Sequence, residues 1–113
     1  MSKQRAKGTA AESAVVAALH RGGFPEARRN PLAGAKDVGD IGGLPIAIEV
    51  KNHVKTQLGL WVPEAQREAH NAGLDVGVVW HKRRGVGLAN AQDWYVTMTG
   101  VDLMELLRAG RTA

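Results

Sequence analysis

The segment Lys36-Asp37-Val38-Gly39-Asp40-Ile41-Gly42-Gly43-Leu44-Pro45-Ile46-Ala47-Ile48-Glu49-Val50-Lys51-Asn52 limits the folds open to this chain more than any other. Its β-branched run after a Gly-Gly-Leu-Pro turn reads as the second strand of a hairpin. Strand side chains alternate, so Ile46, Ile48 and Val50 face one way while Ala47, Glu49 and Lys51 face the other. A carboxylate and an ammonium on the inner part of a strand are costly to bury unless they pair or hold a cation. Asp40, nine residues before Glu49, can return to the same spot across the turn. Two carboxylates and a lysine so placed are what a magnesium-dependent phosphodiester hydrolysis needs.

Around this segment the chain alternates helix and strand. Met1 to Lys7 is polar and basic and reads as a frayed arm. Gly8-Thr9 opens an amphipathic helix that runs to about Arg21 and is closed by Gly22-Gly23. Its apolar stripe is Val15, Val16 and Leu19, and helical spacing puts Glu12 on that face. Glu12 there either reaches into a site or complements the helix dipole in the first turn. Phe24 to Arg29 reads as extended, Pro31 to Gly34 as a turn, and Val38 to Ile41 as the strand that pairs with Ile46 to Lys51. A loop from Asn52 to Leu60 precedes a helix from Val62 or Pro63 to Ala72. Asp75 to Trp80 is a third apolar strand, His81 to Gly87 a basic turn and Asp93 to Thr97 a fourth strand. Thr99-Gly100-Val101-Asp102 resembles a capping box before a last helix through Arg108, stopped at Gly110. This order predicts one α/β domain over residues 1–113, a central mixed sheet flanked by helices.

Composition narrows the chemistry. At 113 residues the chain has room for one core and little room for a large enclosed cavity, so an extensive substrate surface calls for a second copy. A net charge of +4 suits a polyanionic partner. With no cysteine there is no disulfide, thiolate zinc site or cysteine nucleophile. No apolar run approaches the roughly 20 residues of a membrane span, and the basic start is not followed by a signal-peptide core. The expectation is a cytoplasmic protein, in the host cytoplasm if the source is viral, with no membrane partner. His20, His53, His70 and His81 lack metal-ligand spacing, and Trp61, Trp80 and Trp94 read as core anchors. Gly42-Gly43 is not followed by Gly-Lys-Ser/Thr, so no nucleotide cofactor is expected.

Three blocks, in order, resemble the archaeal-type Holliday-junction resolvases and their phage relatives, within the PD-(D/E)XK, or restriction-endonuclease-like, superfamily. The first is Lys7-Gly8-Thr9-Ala10-Ala11-Glu12 with the helix exit Gly23-Phe24. The second is Arg28, similar in position to a basic residue near the scissile phosphate. The third is Gly39-Asp40-Ile41 with Ile48-Glu49-Val50-Lys51. The likeness covers roughly residues 5 to 55; the remainder agrees in element order. The chain departs from the pattern in having two aspartates, Asp37 and Asp40, where those enzymes usually have one. Strand parity favours Asp40, and a bulge at Gly39 would re-aim either residue.

The resemblance implies a restriction-endonuclease-like fold and a homodimeric, structure-specific DNA endonuclease acting on branched or double-stranded DNA. It also implies Mg²⁺, with Mn²⁺ as a substitute, held by Asp40, Glu49 and the Val50 backbone carbonyl, with Glu12 joining directly or through water. Lys51 then orients the attacking water or stabilises charge on the phosphorus, its alternative being a plain salt bridge to Glu49. Arg5, Lys7, Arg28, Arg29 and Lys55 are candidate phosphate anchors. Asp37, Gln66, Lys82, Arg83 and Arg84 are further candidates. Other readings of the same residues are a flap, fork or duplex nuclease of this superfamily and a non-catalytic DNA-binding module on its scaffold.

Overall fold

A computed structural model describes residues 2–31 and 36–112. Helix α1 spans Lys3–Arg21, strands β1 Arg28–Arg29, β2 Ile41–Gly42 and β3 Ala47–Lys51 follow, and then helix α2 Leu58–Asn71. Strand β4 is Gly77–His81, a short 3-10 helix covers Leu88–Asp93, β5 is Tyr95–Thr97 and α3 is Gly100–Thr112. The five strands lie side by side in chain order. β1, β2 and β3 pair antiparallel, β3 and β4 pair parallel through the α2 crossover, and β5 returns antiparallel to β4. The expected α/β domain with a mixed sheet is therefore present. None of the helices is long and apolar enough to cross a membrane among the described residues.

Alternation along β3 sorts its side chains as the pattern requires. Ile48 and Val50 join the main core with Ala11, Val15 and Ala18 of α1, Val76 and Val78. On the other face Val79 packs with Trp61 and Ala65 of α2. α2 comes close to the sheet because Gly77 has no side chain: a Cβ there would lie 2.2 Å from the Ala65 carbonyl oxygen.

Several boundaries differ from those read in the sequence. α1 begins at Lys3, so Lys3 to Lys7 of the stretch read as a frayed arm are helical; Ser2 caps the helix, its Oγ accepting the Arg5 N–H at 3.1 Å. The buried stripe is Ala11, Val15 and Ala18, with Val16 and Leu19 at its flank, because small alanines let the helix settle close on the sheet. α2 starts at Leu58, and Pro63 lies inside it. The Gln57 carbonyl accepts from Leu60 and Trp61, and burial of the Trp61 ring fixes that first turn in place of a loop. The first hairpin strand shrinks to Ile41–Gly42, since Gly39 takes a φ of +99° and breaks the extended run before it. α3 passes through Gly110 and reaches Thr112. Most of the Pro31 to Gly34 turn lies outside the described residues.

Candidate functional site

Asp40 is placed by the backbone. Its N–H donates to the Ile48 carbonyl at 2.8 Å, and its Oδ2 accepts the Val50 N–H at 2.8 Å. The carboxylate thus occupies the ladder position that β2 vacates beside β3. In a strand the N–H and C=O of one residue point to the same side, so the Val50 carbonyl faces the same edge. Glu49 lies beside it, buried at 6% exposure. Glu12 approaches from α1 and pairs with Arg29 at 3.1 Å. Glu12, Asp40, Glu49, Val50 and Lys51 line one open cleft of about 340 Å³, together with Gln4, Lys7, Asn52 and His53. The cleft sits at the C-terminal end of β3.

Lys51 makes both contacts that its position allows. Its Nζ lies 3.3 Å from Glu49 and 2.8 Å from Glu64 of α2. Burial alone would weaken its hold on a proton, but the hydrogen bond to Glu64 and the charge of Glu49 outweigh this and raise its pKa. Lys51 is therefore a fixed cation.

A second group of acids occupies the α2 side of Glu49. Ligand oxygens of Asp37, Glu49 and Glu68 all lie within 4.8 Å of one another. Glu68 is 3% exposed. Glu49 Oε1 and both Glu68 oxygens are buried and find no hydrogen-bond partner among the described residues. Hard carboxylate oxygens without protein donors suit a divalent cation of the magnesium or calcium kind. The electrostatics agree. Burial pushes Glu49 far above the usual carboxylate range, helped by the charges of Asp40 and Glu68. Glu68 is pushed up to about 7 by burial and by the charges of Asp37, Glu64 and Asp40, against an opposing contact with Glu49. Asp40 and Glu12 are raised as well, each mainly by burial.

Asp37, set off the core face by strand parity, enters this group because of the bend at Gly39. Its Oδ1 accepts the Gly39 N–H at 2.9 Å, and its carbonyl accepts from Asn71 of α2 at 2.9 Å. A Cβ on Gly39 would also press against the Ile48 carbonyl at 3.1 Å, so both backbone shape and space require glycine there.

The basic candidates separate by place. Lys7 lines the cleft. Arg29 is held by Glu12, whereas the Arg28 guanidinium lies over the hairpin turn at Gly43. Arg5 and Lys55 are exposed beyond the cleft lining. Parallel pairing brings Lys51 level with His81, and the Lys82 N–H donates to the Lys51 carbonyl at 2.9 Å. The turn carrying Lys82, Arg83 and Arg84 therefore stands at the same sheet end as the cleft. Arg83 rests over the Tyr95 ring at 5.0 Å, and Lys82 lies 5.9 Å from the Trp94 ring. Gln66 donates to the Thr99 hydroxyl at 3.4 Å and does not line the cleft.

Glu64 and Glu68 were not among the residues singled out from the sequence. Glu68 shares a helix face with Trp61, Ala65 and Ala69, all buried. An acid on an apolar stripe is the same signal that marks Glu12, and it would have found Glu68 too. In comparisons with known proteins, no family model matches the chain, and no curated protein or solved structure gives a significant match.

Proposed function

We propose that this chain is a divalent-cation-dependent DNA endonuclease of the PD-(D/E)XK type, a Holliday-junction resolvase that works as a homodimer. The observation that carries the reading is the meeting of Glu12, Asp40, Glu49, Val50 and Lys51 in one open cleft with Lys7 at its wall. Asp40, Glu49 and the Val50 carbonyl would hold Mg²⁺ or Mn²⁺, with Glu12 alongside. When bound, the ion polarises a phosphoryl oxygen and lowers the pKa of a coordinated water.

The protein's own groups have distinct tasks. Lys51, kept protonated by Glu64 and Glu49, stabilises charge on the phosphoryl oxygens and does not serve as a base. Lys7 and the Lys82–Arg84 turn meet backbone phosphates on either side of the cleft, which positions DNA without reading its sequence. The cleft opens to the surface at the C-terminal end of β3, where a phosphodiester backbone at a branch point would reach its acids. Paired nicks on opposing strands need two equivalent sites, and a two-fold dimer supplies them.

The test incubates four-way junction, Y-fork and linear duplex of shared sequence with Mg²⁺, Mn²⁺ or chelator. Symmetric nicks confined to the four-way junction, lost in chelator, are expected. Asp40→Asn and Glu49→Gln should cut at least about 100-fold more slowly while binding the junction equally or more tightly, since each loses a cation ligand and a negative charge. Equal cleavage of all three substrates favours a general nuclease of the same superfamily. Junction binding without cleavage in either metal favours a binding module.

A further inference from the structure

We infer that Asp37, Glu49 and Glu68 form a second, structural divalent-cation site on the α2 side of β3, which ties α2 and the segment before β2 to the central strand. This deepens the nuclease reading, because the site shares Glu49 with the cleft, but it rests on separate observations.

The first observation is convergence. Three carboxylates from three parts of the chain bring ligand oxygens within 4.8 Å of one another. Ions bound by oxygens at about 2.0–2.6 Å hold those oxygens at separations of up to about 5 Å. The second is the state of the oxygens. Glu68 is 3% exposed, yet neither of its oxygens has a hydrogen-bond partner among the described residues, and Glu49 Oε1 is also buried without one. Buried carboxylates are paired or ligate metals, because leaving them bare is expensive.

The neighbouring cation does not meet the need. Lys51 contacts Glu49 Oε2 and Glu64 and makes no ion pair with Glu68. Arg67 lines the depression beside the group, but it is exposed and makes no ion pair with Glu68 among the described residues. Three carboxyl groups therefore face one small space, where a divalent ion can take the place of the protons they would otherwise share. The backbone already braces its rim. Asp37 accepts from Gly39, and Asn71 of α2 donates to the Asp37 carbonyl. A depression lined by Asp37, Glu64, Glu68 and Asn71 opens beside the group and offers an entry path. An ion here stabilises the packing of α2, and through Glu49 it steadies one wall of the cleft.

The experiment strips the full chain with chelator and titrates it with Mn²⁺, counting bound ions from the paramagnetic resonance of free Mn²⁺ and following thermal unfolding. Wild type should gain about 10 °C in unfolding midpoint at a hundredfold excess over its dissociation constant. Glu68→Gln should bind one ion fewer and lose most of that gain, while its cation-free midpoint equals or exceeds that of wild type. Asp37→Asn, at the half-exposed rim, should show the same loss, and it serves if Glu68→Gln does not fold. Glu12→Gln, which is not one of the three acids, should keep the ion that Glu68→Gln loses, together with that ion's share of the gain. If Glu68→Gln and Asp37→Asn bind as many ions as wild type and gain as much in midpoint, the acids share protons instead of a cation, and the inference falls. Normal ion counts with no cleavage of any DNA would overturn the nuclease reading and leave this site standing.

Discussion

Glu68 binds its proton more tightly in the folded chain than in the unfolded one, because burial and the acids around it hold its pKa up near about 7. The sign of the effect follows. The stability tied to this proton is complete below the unfolded carboxylate value of 4.5 and is lost as pH rises through about 7. In chelator, the unfolding midpoint of Glu68→Gln minus that of wild type should therefore be near zero at the acid end and grow between pH 5 and 8. A flat difference across that range would show that Glu68 titrates normally. At this scale the sequence was informative where parity applies. Glu49 and Lys51 share a strand face, and Asp40 returns across a short turn to bond with Val50. Parity failed at Asp37, because a single glycine with positive φ ends the strand register on which it depends.

Among the elements, α2 determines how the site is finished, and Gly77 determines where α2 sits. A methyl group at Gly77 would overlap the Ala65 carbonyl, which belongs to helix backbone and cannot rotate aside. Gly77→Ala should cost about 1–3 kcal/mol in urea unfolding, as overpacking does, and should weaken Mn²⁺ binding by moving Glu68 outward. Unchanged stability would mean that α2 has room to spare. The long elements were legible from apolar spacing and glycine stops. Their ends were less so, because tertiary packing decides them. Trp61 draws α2 back to Leu58, and Pro63 within the helix gives a misleading start signal. The 3-10 helix over Leu88–Asp93 has no periodic signature; it is held by Ala91 in the core and by the Arg21 to Gln92 hydrogen bond of 2.9 Å.

For the whole molecule, the apolar surface of α3 stands out. Val101 is 63% and Leu107 58% exposed, and Leu103 and Met104 are exposed between them, while Leu106 packs inward on the core. If the homodimer forms through this helix, sedimentation at micromolar concentration should give a dimer. Leu103→Lys with Leu107→Lys should then give a monomer that makes single nicks in place of paired ones. A wild-type monomer that makes only single nicks would remove the resolvase reading in favour of a general nuclease.

β4 connects these two regions. At its start the Gly77 N–H donates to Asp102 of α3 at 3.0 Å, and just past its end Lys82 is bonded to Lys51 beside the cleft. Strand geometry separates Gly77 from His81 by about 13 Å. A dimer built on α3 would thus use β4 as a ruler, with the distance between the two cuts written in strand residues and not in flexible loop. Such a ruler has coarse graduations: lengthening it by one residue would turn every following side chain to the opposite face. The spacing between cuts would then be retuned by repositioning α3, leaving the strand itself unaltered.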